Sequence, residues 1–183
     1  MRHRSVTALI LKRKPVGEAD MLLTLFTQEE GKMVVKAKGI RKITSRRGAS
    51  LDLFNLCKVA LYEHSSGTMP IVTEVQLLEV YAGMKQELPR VGIAYHICEL
   101  VEGLLPERQA SEDVFHLTKR ILTSLSSCSE SVAQSVHQFE LSLLTSLGYV
   151  GSQDLSGSRA SLFIEEILER KLKTRHLLPQ LLG

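Results

Sequence analysis

The chain has 183 residues, of which 44% are apolar and 23% charged, and its formal net charge is +3. This composition is typical of a globular chain that buries a core, and it excludes a disordered chain. No run approaches the roughly 18 consecutive apolar residues that a membrane helix needs. Basic residues at positions 12–14 interrupt the first apolar run, so we expect no secretory signal, no membrane contact and a cytoplasmic location.

The cysteines, Cys57, Cys98 and Cys128, are odd in number and lie far apart in the sequence. Without a Cys-x-x-Cys spacing, they favour neither a disulfide framework nor a four-cysteine zinc site. We therefore expect buried thiols, as in a reducing cytosol, and no bound zinc.

Positive charge is concentrated in the first part of the chain. Residues 1–80 contain 13 Lys and Arg against 8 Asp and Glu, whereas residues 81–183 contain 10 against 12. The densest stretch has no acidic residue, and its basic side chains are Lys32, Lys36, Lys38, Arg41, Lys42, Arg46 and Arg47. Such density favours an anionic partner or a well-solvated edge of a sheet.

Short apolar runs separated by Gly, Pro and Ser turns predict five strands in the same part of the chain. The predicted strands are Val6–Lys12, Met21–Thr27, Lys32–Lys38, Leu51–Tyr62 and Ile71–Val80. Five strands in about 80 residues predict a small closed barrel such as an OB-fold, because closure removes exposed strand edges.

Helical spacing of apolar residues begins near Tyr81, where we place a domain boundary. The first predicted helix has an apolar face formed by Leu88, Val91, Tyr95, Cys98, Val101 and Leu105. A second helix is predicted to start after Ser111, and a third is predicted to end at Gly148. A fourth helix is predicted from about Arg159 to Leu172. The predicted architecture is α+β, with an OB-fold at 1–80 and a helical domain at 81–183.

Two Ser-rich segments interrupt the helical pattern. The cluster Ser124–Ser131 predicts a loop, and a Gly/Ser-rich joint covers residues 150–158.

Alternation along the third strand separates a core face from a cationic face. Met33, Val35 and Ala37 share one face, and the lysines of the strand share the other. Lysines that lead into an arginine-bearing loop can follow a phosphate backbone. The predicted residues for contact with nucleic-acid phosphates are Lys32, Lys36, Lys38, Arg41, Lys42, Arg46 and Arg47, with Lys12 and Arg13 as flanking support. The alternative is a solvated edge whose lysines prevent aggregation.

Aromatic residues are absent between Phe26 and Phe54, so the basic stretch itself offers no surface for base stacking. This favours contacts to phosphates that are independent of sequence. Phe54 and Tyr62 are the candidates for base stacking.

No nucleophile elbow, phosphate loop or dinucleotide-binding glycine motif is present in the sequence. Two His-x-x-Glu pairs, His96 with Glu99 and His137 with Glu140, could hold the metal of a hydrolase on facing helices. Di-iron bundles use the opposite order, however, and His96 and Glu99 lie off the predicted apolar face. We expect both to face solvent and the protein to be neither an enzyme nor a metal protein.

Several ordered motifs resemble the bacterial RecO family of DNA repair proteins. In the first part these are Val16–Asp20, Leu23–Thr27, Gly31-Lys32, Ala37–Lys42 and Ser45-Arg46. In the helical part they are Glu99–Val101, Leu104–Glu107, Phe115, Phe139–Leu141, Leu147–Tyr149 and Lys171–Arg175. The resemblance extends over almost the whole chain.

The resemblance implies a recombination mediator with an N-terminal OB-fold and a C-terminal helical domain. Members bind single- and double-stranded DNA, anneal complementary strands, contact the tail of single-stranded-DNA-binding protein, and work with RecR to load RecA. Many members carry a four-cysteine zinc module after the Leu-Gly-Tyr motif, whereas this sequence has only the Gly/Ser-rich joint there. We therefore expect that module to be missing. The alternative hypothesis is an adaptor whose helical domain binds a partner peptide and which has little DNA affinity.

Overall fold

The structure is a computed structural model that describes residues 2–41, 47–65, 67–127, 132–150 and 159–174. The chain forms two compact units, one of Met1–Val80 with Leu105–Glu112 and one of Tyr81–Leu104 with Asp113–Gly183. We call them the barrel unit and the helical unit. The segment Leu105–Glu112 lies within the predicted helical domain at 81–183 but belongs to the barrel unit.

The barrel unit contains five strands: β1 (Arg2–Val16), β2 (Asp20–Thr27), β3 (Gly31–Ala37), β4 (Leu56–Glu63) and β5 (Ile71–Glu79). They close in the order β1-β2-β3-β5-β4. Neighbouring strands are antiparallel except β3 and β5, which are parallel and meet at Lys36 and Ile71. This topology confirms the predicted OB-fold and the α+β class.

Alternating side chains of all five strands fill the barrel. Met33, Val35 and Ala37 of β3 are buried, as predicted, together with Leu23 and Leu25 of β2. Because side chains alternate across a strand, the residues between them point outward.

The prediction of a strand beginning at Leu51 is wrong. A short helix, α1 (Arg47–Ser50), precedes β4, and Leu51 lies in the barrel core. Phe54 has a φ of 69°, in the left-handed region that a strand does not contain. The Asn55 amide donates to the carbonyls of Ala49 and Ser50, both at 3.1 Å, so the chain turns at the end of α1 before β4 starts.

Leu105–Glu112 attaches to the barrel through backbone and side-chain contacts. The Arg108 backbone N–H donates to the Lys32 carbonyl at 2.8 Å. The Arg108 guanidinium lies 3.3 Å from one carboxylate oxygen of Glu63. The second oxygen of Glu63 accepts a hydrogen bond from Arg4 at 2.7 Å. The Arg4 hydrogen bond, more than any other contact, lowers the pKa of Glu63, so this buried carboxylate is ionised and holds both arginines.

The helical unit contains α2 (Ala82–Lys85), α3 (Leu88–Leu104), α4 (Glu112–Ser127), α5 (Val132–Ser146) and α6 (Arg159–Leu168). Helix α4 begins after Ser111, as predicted. It also includes Ser124–Ser127, so the prediction of a loop there is wrong, and residues 128–131 lie outside the described part of the chain. None of the described helices is long and apolar enough to cross a membrane.

Gly148 ends the last turn after α5, as predicted. It has a φ of 77°, and its N–H donates to the Thr145 carbonyl while the Tyr149 N–H donates to the Leu144 carbonyl. This pair of bonds is a Schellman motif, which satisfies carbonyls that the helix end leaves unpaired.

The predicted apolar face of α3 is only partly correct. Cys98 and Val101 are buried, but Leu88 is 78% exposed and Tyr95 is 45% exposed. Helix α3 packs against α2, α5 and α6, so it is covered on more than one side and buries residues away from a single stripe. Helix α6 ends at Leu168 rather than Leu172, because Glu169 adopts a φ of 51°.

The attachment of Leu105–Glu112 depends on the absence of a side chain at Gly31. A Cβ added there would collide with the Gln109 carbonyl, and Gly31 also has a φ of +74°. Gly17 has a similar φ of +60° but faces open space. Both alanine substitutions incur the left-handed backbone penalty of about 1–2 kcal/mol. We expect Gly31→Ala to lose more stability in urea unfolding than Gly17→Ala and to speed tryptic cleavage after Arg108. Equal losses would contradict this attachment.

Candidate nucleic-acid interface

Two strands of the barrel, β1 and β3, present lysines on its outside, on either side of β2. The paired outward residues form two rows across β1, β2 and β3, one of Lys12, Thr24 and Val34 and one of Lys14, Leu22 and Lys36. Lys32 lies at the start of β3 on the same side, next to the attachment of Leu105–Glu112. We call Lys12, Lys14, Lys32 and Lys36 the lysine face.

Lys36 is held in place by an acidic neighbour. Its ammonium lies 3.0 Å from the Asp20 carboxylate, which also accepts a hydrogen bond from the Gly39 N–H at 2.9 Å. The Gly39 hydrogen bond, followed by the one from Lys36, lowers the pKa of Asp20. Asp20 is therefore ionised at neutral pH, and an incoming phosphate must compete with it for Lys36.

The other predicted contact residues occupy different positions. Lys38 is exposed in the turn after β3, and Arg41 is exposed with its guanidinium donating to the Gly17 carbonyl at 3.0 Å. Lys42 and Arg46 lie outside the described residues. Arg47 begins α1, and its side chain is not among those described.

Arg13 points away from the lysine face. Its strand partner is Leu23, a core residue, and its guanidinium lies 2.5 Å from Asp52. Lys14, which is not among the predicted contact residues, instead shares the outward face with Lys12. The spacing of two residues between these lysines is the signal that could have selected Lys14 in place of Arg13.

The two stacking candidates differ in exposure. Phe54 is buried, with 3% of its surface exposed, and so offers no face to a base. Tyr62 is partly exposed on β4, where its ring packs against His3.

The prediction that His96 faces solvent is wrong. His96 is fully buried, and its Nε2 lies 3.0 Å from Glu140 while its Nδ1 lies 2.7 Å from the Thr174 hydroxyl. Ser161 also donates to Glu140, at 2.8 Å. These partners come from α5, α6 and the segment after α6, so the burial of His96 results from contacts distant in sequence.

Glu99 receives hydrogen bonds from the chain that follows α6. It accepts from the Arg170 guanidinium and the Lys173 N–H at 2.9 Å, and from the Thr174 N–H and hydroxyl at 3.0 and 2.8 Å. Partial burial opposes ionisation, but these donors outweigh it and lower the pKa of Glu99 from 4.5 to about 2. The prediction that Glu99 faces solvent is therefore wrong as well. Its hydrogen bonds hold the segment after α6, residues 170–174, against α3.

The predicted His-x-x-Glu pairs do not assemble as four ligands. His96 joins Glu140, Glu99 joins the C-terminal segment, and His137 is half-buried on α5. Within the described ranges, no group of three or more His, Cys, Asp and Glu side chains is placed to hold a metal. The absence of zinc stays a prediction, because residues 151–158 of the joint lie outside those ranges.

Both described cysteines are buried thiols. The Cys57 thiol donates to the Ser50 carbonyl at 3.1 Å. Burial, with a smaller contribution from Glu102, raises the pKa of Cys98 to about 12, so this thiol is protonated and unreactive. Cys128 lies outside the described residues.

Two family models match the chain in succession. The model described as "Recombination protein O N terminal" matches residues 1–81, and "Recombination protein O C terminal" matches residues 85–151. The chain belongs to the RecO family. The N-terminal match includes the whole lysine face, and the C-terminal match includes α3, α4 and α5.

Curated RecO relatives align with most of the chain. It is 32% identical to the DNA repair protein RecO of Symbiobacterium thermophilum, over 79% of this chain and 56% of that protein. It is 31% identical to that of Salinibacter ruber, over 84% and 60%, and 36% identical to that of Heliobacterium modesticaldum, over 81% and 53%. The chain therefore spans little more than half the length of these RecO proteins.

The low pKa of Glu99 predicts how stability depends on pH. Because its folded-state pKa lies below 4.5, the ionised carboxylate stabilises the fold above pH 4.5, and this contribution is lost as the pH falls toward 2. Glu99→Gln should lower the free energy of unfolding by about 1–3 kcal/mol at neutral pH. Urea unfolding should show this difference shrinking with acidification, while exposed Glu166→Gln stays near wild type. A difference independent of pH would contradict the role of the carboxylate.

Proposed function

We propose that this chain is a non-enzymatic recombination mediator that binds single- and double-stranded DNA without sequence preference and anneals complementary strands. The observation that supports it most directly is the lysine face, where outward lysines from β1 and β3 lie on one side of an OB-fold, with β2 between them. Membership of the RecO family supports the same role in DNA repair and recombination. Such a protein acts at the nucleoid.

The lysine face suits contact with phosphates rather than with bases. Lysine is a compact, hydrated point charge, so it binds a phosphate without demanding a particular geometry. Binding through phosphates carries no sequence information, which leaves the bases of two bound strands available to pair. Neutralising the phosphates of both strands also reduces the repulsion that opposes annealing.

The expected partners follow from family membership. RecR and single-stranded-DNA-binding protein would join this chain on DNA, and together they would help RecA to load. The reaction needs no metal or other cofactor in this proposal, because strand pairing requires charge neutralisation and not bond cleavage.

A groove in the helical unit supports a second candidate function, the binding of an acidic peptide. It has a volume of about 260 Å³ and lies between α4 and α5. Leu117, Ile121 and Phe139 line its apolar part, and Arg120 contributes a positive charge. A mixed groove with three apolar side chains, polar serine and glutamine side chains and an arginine fits a peptide that ends in acidic and apolar residues, such as the tail of single-stranded-DNA-binding protein.

Removal of two lysine charges tests the proposed interface. Lys14→Gln/Lys36→Gln should weaken binding to single strands and duplexes alike and should slow annealing. If each lysine contacts one phosphate, the slope of log affinity against log salt should fall in magnitude by about 1.4 on single strands. Fluorescence anisotropy with labelled oligonucleotides over a salt titration measures both quantities.

The control for charge is Lys171→Gln/Lys173→Gln, two exposed lysines of the helical unit, which should leave the slope unchanged. Asp20→Asn provides a change in the opposite direction, because it removes the anion that competes for Lys36 while keeping an acceptor for Gly39. It should raise DNA affinity. Equal losses in the two lysine variants, or weaker binding by Asp20→Asn, would contradict an interface at the lysine face.

Charge reversal in the groove tests the second function. Arg120→Glu should abolish binding of a labelled peptide carrying the acidic tail, because the like charge repels its carboxylates. Arg159→Glu, at an exposed position on α6, is the matched control and should bind normally. DNA affinity should persist in both variants. If both variants still bind the peptide, the groove is excluded as its binding site. If the wild type binds the peptide tightly but has no DNA affinity, the result favours an adaptor.

A further inference from the structure

An aromatic pair lies on the outer surface of the barrel where β1 meets β4. The ring centroids of His3 and Tyr62 are 4.8 Å apart, with their planes inclined by 44°. His3 is exposed and Tyr62 is partly exposed. The Tyr62 hydroxyl is hydrogen-bonded to Nδ1 of His64 at 3.3 Å, which fixes the orientation of the tyrosine ring.

Tyr62 is distinguished from the other aromatic residues of the first 80 positions by its exposure. That part of the sequence contains only Phe26, Phe54 and Tyr62 as Phe, Tyr or Trp residues. Phe26 is 0% exposed and Phe54 is 3% exposed. Of these three aromatic residues, only Tyr62 is therefore available for a nucleobase to stack on.

Strand register connects this aromatic pair to the lysine face. Successive strand partners around the barrel are His3, Tyr62, Ile71, Lys36, Leu22 and Lys14. Directly paired residues point to the same side of a sheet, so all of these side chains face outward. Their inward neighbours agree with this assignment, because Leu61, Val72 and Val35 are buried in the core.

The spacing in this row suits a nucleotide chain. Neighbouring strands lie about 4.8 Å apart, so Tyr62 and Lys36 are separated by two strand spacings, or about 10 Å. Ile71 is half-buried between them and adds apolar surface. A phosphate on Lys36 thus leaves a nearby base within reach of the Tyr62 ring.

We propose that the His3 and Tyr62 pair is a stacking site for an unpaired base of single-stranded DNA whose phosphates are bound by Lys36 and Lys14. This inference rests on the proposed function, which supplies the nucleic acid. It adds selectivity that the lysines cannot provide. An unpaired base exposes a π-face to the tyrosine ring, whereas both faces of a base within a duplex are already covered by its neighbours.

The test compares Tyr62→Ala with Tyr62→Phe in the full chain, using a labelled oligothymidine and a labelled duplex. Tyr62→Ala should lower affinity for the single strand by about 5- to 100-fold and leave duplex affinity nearly unchanged. Tyr62→Phe keeps the ring and should bind both ligands as the wild type does. Thermal unfolding of each variant separates a loss of stacking from a loss of folded protein.

A fluorescent variant reports on stacking itself. The chain contains no tryptophan, so Tyr62→Trp introduces a single indole at the site. Its emission should be quenched by the single strand and much less by the duplex or by a strand of abasic residues. Equal quenching by the abasic strand would overturn the proposal.

The remaining outcomes distinguish the stacking site from the proposed function. If the wild type binds neither ligand, the proposed DNA-binding function fails, and the stacking site fails with it. If the wild type binds DNA but Tyr62→Ala loses neither ligand, or loses both equally, only the stacking site is overturned.

Discussion

A one-residue irregularity in β1 determines which of its basic side chains reach the surface. The register of β1 against β2 shifts between Ile10 and Lys12. Before the shift, even-numbered residues such as Ala8 and Ile10 point into the core. Strict alternation would then send Lys12 inward, but the extra residue reverses the phase, and Lys12 pairs with outward-facing Thr24. Residues Ala8–Val16 of β1 pair with β2 on both sides of the shift, so the bulge changes which side chains face outward without changing the partner strand, and the lysine face depends on it.

Regular alternation explains which parts of this structure could be predicted from the sequence. The lysines of β3 and the closed barrel follow from period-two patterning and turn residues, which are local signals. The prediction of Arg13 is wrong because side chains alternate along residues 12–14, so that Lys14 and not Arg13 shares the outward face of Lys12. The turn before β4 was missed because Phe54 adopts a left-handed backbone that apolar residues seldom show. His96 was assigned to solvent because its partners come from distant parts of the chain.

In each unit a carboxylate, buried in the case of Glu63 and partly buried in the case of Glu99, holds a segment that lacks regular structure. In the barrel unit, Glu63 binds Arg4 on the adjacent strand and Arg108 in the attached segment. In the helical unit, Glu99 binds backbone and side-chain donors of the segment after α6. A buried carboxylate is tolerated only when donors surround it, so each one requires its segment to be docked. These two segments, which have no regular secondary structure, are thereby attached to their units.

Arginine and lysine have separate roles in the barrel unit, and this separation fits the proposed function, in which DNA is released as well as bound. Arg4, Arg13, Arg41 and Arg108 make directed contacts to protein carboxylates or carbonyls. The planar fork of arginine suits such fixed geometry, whereas the lysine ammonium forms exchangeable contacts. Lys36 contacts the Asp20 carboxylate, and a phosphate offers similar anionic oxygens, so a phosphate can replace Asp20 as its partner. In the proposed function, contacts of this kind would lower the barrier to moving a strand along the surface while two strands search for their register.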